Sequence, residues 1–196
     1  ATGTWSPAGN LITARRSHTA TLLKDGRVLV VGGGTGSDST GFQTFASAEL
    51  YEPAANQWTP TGSLATHRGG HTSTLLPDGR VLVVAGGQNN SSNFLASSEV
   101  YDPVQGIWAS AGSLPVTRQN HTATLLGNGR VLVTGGHGWD GTTATAGIFS
   151  SSPGSWEGAS PLLQSRNCHT ATLLNNQQVL VVGGRQGNGG PFLASA

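Results

Sequence analysis

Charged residues make up only 10% of this 196-residue chain, methionine is absent, and there is a single cysteine, Cys168. A lone cysteine excludes an intrachain disulfide and any Cys-x-x-Cys metal or redox motif, so stability has to come from packing. No apolar run approaches the roughly 20 residues that a membrane-spanning helix needs, and no positively charged leader precedes an apolar stretch. Ten Lys and Arg stand against nine Asp and Glu, a formal charge of +1, and like charges do not cluster. Neither a nucleic-acid partner nor membrane insertion is expected from such a balance. Without methionine, Ala1 is not a translation start, which implies either a removed leader or a sequence cut from something longer.

Glycine is abundant, at 30 residues, and with Ser, Thr and Asn it suits short strands and tight turns better than helices. The strongest signal is internal repetition. The segment His-Thr-Ala/Ser-Thr-Leu-Leu starts at His18, His71, His121 and His169. Trp5, Trp58, Trp108 and Trp156 repeat the same three intervals of 53, 50 and 48 residues (5 to 58, 58 to 108, 108 to 156), so two unrelated residue types report one period.

Each repeat reads as four strands. The first begins at the histidine and is apolar or β-branched throughout. A hairpin turn follows, with Asp25-Gly26, Asp78-Gly79 or Asn128-Gly129, because its central positions favour positive φ. The fourth copy, Asn175-Asn176-Gln177-Gln178, lacks the glycine and is expected to turn less tightly. The second strands start at Val28, Val81, Val131 and Val179 and run into Gly-rich pairs. A third strand ends at Tyr51-Glu52-Pro53 or Tyr101-Asp102-Pro103, where proline stops the ladder, and the fourth carries the tryptophan. A β-sandwich also has many short strands but predicts no period near 50. Sheets stacked about an axis bury both faces of each unit, which is the logic of a propeller.

The order Arg-x-x-His, apolar strand, turn, Gly-Gly, Glu-x-Tyr-Asp/Glu-Pro and Trp resembles the kelch repeat, and its wording is similar to secreted bacterial kelch arrays. The expected fold is all-β: kelch-type propeller blades, four repeats of four-stranded antiparallel sheets in one domain over 1–196. Residues 1–12 would be the last strand of a preceding blade and its linker. Blades then occupy 13–62, 63–112, 113–160 and 161–196, the last incomplete. Three arrangements stay open: a fragment of a longer array, a strained four-blade ring, or two chains completing a ring of about eight blades.

The resemblance implies a non-catalytic binding or scaffolding module, with a protein, peptide or glycan ligand at the loop face and channel mouth, no cofactor, a homodimer as one partner arrangement, and an extracellular location. Arg15, Arg68, Arg118 and Arg166 recur three residues before each motif histidine. In peptide-binding kelch adaptors arginines at comparable loop positions hold acidic ligands, and the competing role is pairing with Glu49 or Glu99. Because Gly147 replaces the glutamate in the third repeat, an arginine near that blade is expected to be free. His137, Trp139 and Asp140 stand out in a loop after a second strand, since Trp139 breaks the tryptophan pattern, and Arg185 lies at the same junction of the fourth repeat. An exposed indole there would stack on a sugar or anchor a peptide. The motif histidines sit in strands beside small residues, which favours structural hydrogen bonds over a metal ring. Copper-radical oxidases of the galactose oxidase type also contain a kelch-like propeller, but Tyr51, Tyr101 and Cys168 all occupy repeat positions and none is singled out for chemistry. Asn89, Asn90 and Asn120 head glycosylation sequons.

Overall fold

The computed structural model describes residues 3–36, 41–89, 93–187 and 189–196. Three complete antiparallel sheets follow one another along the chain. The first joins β1 (Thr19–Leu22), β2 (Val28–Val31), β5 (Ala48–Glu52) and β6 (Gln57–Thr61), in that spatial order. Its second hairpin is lengthened by a small ribbon of β3 (Gly34–Thr35) and β4 (Gln43–Thr44). In the second sheet, β7 (Thr72–Leu75) pairs with β8 (Val81–Gln88), then β9 (Asn93–Asp102), then β10 (Ile107–Ser113). The third holds β11 (Thr122–Leu125), β12 (Val131–Thr134), β15 (Ala146–Ser150) and β16 (Ser155–Ala159), with β13 (His137–Gly138) and β14 (Gly141–Thr142) as its ribbon. In the fourth repeat β17 (Thr170–Leu173) pairs with β18 (Val179–Val182), and Phe192 bridges Arg185 at the start of a third run. Among the described residues no helix is long and apolar enough to cross a membrane.

Registers repeat as the sequence repeats. Val28, Val81 and Val131 face Tyr51, Tyr101 and Phe149, which in turn face Trp58, Trp108 and Trp156. The core lies between sheets. Leu29, Val31 and Leu50 of the first pack on Val81, Val83 and Tyr101 of the second, and Leu82, Val84 and Val100 of the second pack on Val131, Val133 and Phe149 of the third. Alternation along each central strand therefore serves two interfaces at once, which is why these strands read as unbroken apolar runs. At the corresponding places in the fourth repeat, Leu180 and Val182 are each 41% exposed, whereas Leu29, Val31, Leu82 and Val84 are completely covered.

Two expectations about local structure change. The turn at Asn175 to Gln178 is as tight as the glycine-containing turns. Its bonds, Leu174 N to Gln178 O at 2.8 Å and Gln177 N to Leu174 O at 2.9 Å, match those of Leu23 with Arg27 and Gly26. Gln177 takes φ +68° in place of glycine, and Asn176 Oδ1 accepts the Gln178 N–H as Asp25 Oδ1 accepts that of Arg27. Residues 1 and 2 of the expected opening strand lie outside the described residues, and Gly3 to Trp5 form no strand. Trp5 is fully exposed; Trp58 is held by pairing with Tyr51, and this chain offers Trp5 no such neighbour.

Hydrogen bonds join the sheets at both edges. On the first strands, His71 Nε2 meets Thr19 Oγ1 at 2.9 Å, His121 meets Thr72 at 2.9 Å, and His169 meets Thr122 at 3.0 Å. On the last strands, the Trp58 indole donates to Gly9 O, Trp108 to Gly62 O and Trp156 to Ala111 O. Nδ1 of each motif histidine is buried without a partner, so a second ring proton would have nothing to bond.

The four motif arginines form the other tie, and here the expected ligand-facing ring is corrected. Arg15 and Arg68 side chains have no exposed surface. Arg15 donates to Gly32 O, Ser47 O and Glu49 Oε1 (2.6 Å), and Arg68 repeats the set with Ala85 O, Ser97 O and Glu99 Oε1 (2.7 Å). The carboxylates also accept backbone N–H groups of the incoming segment, Ile12 and Thr13 on Glu49 and Ala65 on Glu99. Nor is the arginine of the third repeat free. Arg118 is fully buried and donates to Gly135 O, Thr145 O and Thr145 Oγ1, while Leu114 stands 2.8 Å from where a Gly147 β-carbon would begin. Without a carboxylate partner, burial lowers its pKa to about 10. Arg166 donates to Gly183 O, Ser195 O and Ser195 Oγ.

Burial, reinforced by Arg68 and Arg166 respectively, holds His71 down to a pKa of about 3 and His169 to about 4, and His121 is likewise depressed. The unfolded chain takes up these protons near 6.5, so the stability gained by keeping the rings neutral is complete above that pH and is lost as pH falls toward the folded values. Urea midpoints are expected to drop between about pH 7 and about pH 5, a window above that in which the carboxylates titrate. Glu99→Ala leaves Arg68 buried without its counter-charge and is expected to cost about 3–5 kcal/mol. Glu157→Ala, which removes only the exposed ion pair with Arg130, should shift the same urea curve by less than about 1 kcal/mol.

Candidate functional site

Locking each arginine inside its sheet sets the backbone of the next two residues of Arg-x-x-His at the start of the first strands. Each second residue has a left-handed backbone: Ser17 (φ +56°), Gly70 (+63°), Asn120 (+53°) and Cys168 (+53°). Their main chains link in series. Gly70 N donates to Ser17 O, Asn120 N to Gly70 O and Cys168 N to Asn120 O, at 3.2, 3.2 and 2.9 Å. Each first residue bridges the strand after its own Gly-rich pair, Arg16 to Gly34, Gly69 to Gly87, Gln119 to His137 and Asn167 to Arg185. The variable pairs Arg-Ser, Gly-Gly, Gln-Asn and Asn-Cys thus gather on one rim.

Only the second repeat carries no side chain at either position. The notch so left is a cavity of about 450 Å³ lined by Gly69, Gly70 and Gly87, by Arg16 and Phe42 from the first repeat, by Gln119 and Asn120 from the third, and by Gln88 and Asn89. The Arg16 guanidinium lies 4.6 Å from the Phe42 ring centroid and is the one cation among the described lining residues. Gln88 and Asn89 are held in place. Gln88 Nε2 meets His67 Nε2 at 3.0 Å, and Asn89 Oδ1 accepts both Thr44 N and Thr44 Oγ1. The side-chain amides of Gln119 and Asn120 make no hydrogen bond to described residues, so each presents both donors and an acceptor.

The loop at 137–143 adjoins this notch. Gly87 of the lining pairs with Phe94, and Gln119 bridges His137. Phe94 is buried and meets the rings of His137 and Trp139 edge-on, at 5.5 and 5.7 Å between centroids. Trp139 itself is 62% exposed. Gly138 presses on Thr117, whose carbonyl oxygen is 2.1 Å from the site of an added β-carbon, and this fixes the ribbon. His137 Nδ1 contacts Thr142 Oγ1, which also accepts Asn167 Nδ2 and the Gly187 N–H, and Arg185 Nε donates to Asn167 Oδ1 at 3.4 Å. Burial and then the Arg185 charge lower the His137 pKa, so its ring is neutral at neutral pH. Asp140 is exposed at the ribbon turn.

Of the residues singled out from sequence, the structure therefore gathers His137, Trp139 and Arg185 at the rim, puts Asp140 beside them, and removes Arg15, Arg68, Arg118 and Arg166 to the interior. Arg16, Phe42, Gln88 and Gln119 had no place among the sequence candidates, and Asn89 and Asn120 stood there only as sequon asparagines. The available signal was the variation at the two x positions, set against the constancy of the residues around them. Among the described residues no three His, Cys, Asp or Glu side chains group as a metal would require. Tyr51 and Tyr101 donate or accept locally, with Asn56 and Thr61, in separate sheets, and Cys168 lies apart on the rim. Of the sequon asparagines, Asn90 lies outside the described residues.

A family model described as the KLHDC2/KLHL20/DRC7 Kelch-repeats domain matches residues 17–193. No curated protein matches the chain. Among solved structures, one titled "Structure of YjhT" superposes with a TM-score of 0.65 at 15% identity, over 92% of this chain and 80% of that one, a likeness of fold. Repeat order, sheet topology and the match over residues 17–193 agree, and the chain belongs to the kelch-repeat family.

Proposed function

We propose that this chain is a non-catalytic binding module whose ligand carries several hydroxyl or amide groups and seats in the glycine notch. The observation that carries the reading is the pairing of an emptied position, Gly69-Gly70, with the side-chain amides of Gln119 and Asn120. Such a lining offers many donors and acceptors, which favours a polar ligand over an apolar one. The general habit of kelch domains to bind proteins supports a recognition role, while the chemistry of the notch sets its terms.

Gly70 supplies the test. Asparagine already occupies the same backbone conformation at Asn120, and the nearest atoms to an added β-carbon at Gly70 are 3.5 Å away. Gly70→Asn is expected to fold normally and to weaken binding of a neutral polar probe, chitotriose or a tetra-asparagine peptide, at least about tenfold by titration calorimetry; unchanged binding of whichever probe the protein accepts would remove the notch from consideration.

A second reading, self-assembly, is favoured by the apolar face of the fourth repeat, where Leu180 and Val182 are each 41% exposed. Covering it with the first repeat of a second copy would reproduce the packing seen between repeats. Light scattering on a sizing column is expected to give a dimer that Val182→Glu dissociates; a monomer at all concentrations contradicts this reading.

A further inference from the structure

Neighbouring repeats are tied by a fixed set of bonds. Between the first and second, Leu64 N donates to Ala46 O, Arg68 N to Phe45 O, Gly33 N to Arg68 O and Gly70 N to Ser17 O, at 2.9, 3.1, 2.9 and 3.2 Å. The same four bonds recur at equivalent residues between the second and third repeats, and again between the third and fourth. At each of these junctions the motif histidine adds its bond to a threonine of the preceding repeat, as His71 does to Thr19.

At the two outer repeats one half of every such bond is left over. The fourth keeps the carbonyl oxygens of Ala194, Leu193 and Cys168, the Gly184 N–H and the Thr170 hydroxyl. The first keeps, in the same order, the N–H groups of Leu11, Arg15 and Ser17, the Arg15 carbonyl oxygen and His18 Nε2. None of these groups bonds to a described residue. Their apolar surroundings match as well. Leu75 of the second repeat packs on a core that holds Leu29 and Val31 of the first. Its counterpart on the first repeat, Leu22, is 64% exposed, and the counterparts of Leu29 and Val31 are the exposed Leu180 and Val182. Unpaired main-chain groups beside apolar surface are costly, and whatever covers them has to answer donor with acceptor in this order. The first repeat of the same chain carries that order.

We infer that the fourth repeat of one copy takes the first repeat of a second copy head to tail, in the register seen between repeats, and that two such joints close two copies into one ring of about eight repeats. This rests on the self-assembly reading and adds to it the faces that meet and the bonds that join them. Because the joint pairs two different faces, closure after two copies is what keeps it from running on into a filament. The pairing also places Ser17 of one copy beside Cys168 of the other, as Ser17 lies beside Gly70 within the chain.

The test reads mass and register separately. Light scattering on a sizing column should give wild type twice the mass of one chain, and Leu22→Glu and Val182→Glu, each at an exposed position, the mass of one. Ser17→Cys is expected to fold as wild type does, because Cys168 already holds the same left-handed backbone at its own place. With a short bismaleimide it should give a covalent dimer on a denaturing gel, while wild type and Ser17→Cys/Cys168→Ser should not. If Val182→Glu dissociates the dimer and Leu22→Glu does not, self-assembly stands and the head-to-tail joint falls. The joint also falls if wild type itself cross-links, or if Ser17→Cys links only within one chain or not at all. A mass that climbs beyond two chains overturns the closed ring, and a wild type that stays monomeric at every concentration overturns both readings.

Discussion

Everything on the variable rim depends on an arginine that never reaches it. In each repeat the guanidinium turns inward and satisfies two or more backbone oxygens, those of Gly32 and Ser47 in the first repeat and of Gly183 and Ser195 in the fourth. Buried carbonyl groups are costly to leave unpaired, and a planar group with five donors suits this task better than lysine would. In two repeats a glutamate completes the arrangement and catches the incoming chain as well. In the third, the hydroxyl of Thr145 and the side chain of Leu114 occupy the remaining space, so the frame survives loss of the charge while the arginine becomes less basic.

With the arginine fixed, the two residues that follow it have little freedom. One pairs with the strand beyond the Gly-rich turn and the other adopts a left-handed backbone that passes hydrogen bonds from repeat to repeat. The frame fixes their backbone while their side chains differ from repeat to repeat: Asn167 is buried with hydrogen bonds to Thr142 and Arg185, and Asn120 is exposed. Two glycines in the second repeat open a notch, and amides from the third face it. The shape of the rim thus changes by removing side chains from one blade and leaving polar ones on its neighbours, on a scaffold whose stability is supplied elsewhere.

The legible part of the molecule was the part that repeats. Strand order, turn positions, the inter-sheet core and the structural use of the motif histidines all follow from residues that recur at matched places, since equivalent positions in stacked sheets meet equivalent environments. The misread parts were those where one copy departs from the rest. Gln177 fits a turn that the other copies make with glycine, because Asn176 supports it from within the turn. Gly147 suggested a liberated arginine, but Arg118 stays buried on the Gly135 and Thr145 oxygens, and Leu114 stands beside Gly147. Recurrence also misled in one respect, for a repeated cation was taken as a repeated contact with ligand when its carbonyl partners are visible only once the chain is folded.

By itself the sequence determined the period, the all-β blades and their membership of the kelch family, because alternating apolar residues and fixed turn signals act through neighbours a few residues away. Tertiary structure alone decided which way each side chain faces across the gaps between repeats. Arg16, Phe42, Gln88, Gln119 and Asn120 come from three different repeats and meet at one notch, and Phe94 reaches Trp139 from the preceding blade. Such contacts are set by the stacking of whole sheets, a long-range packing that no local pattern encodes.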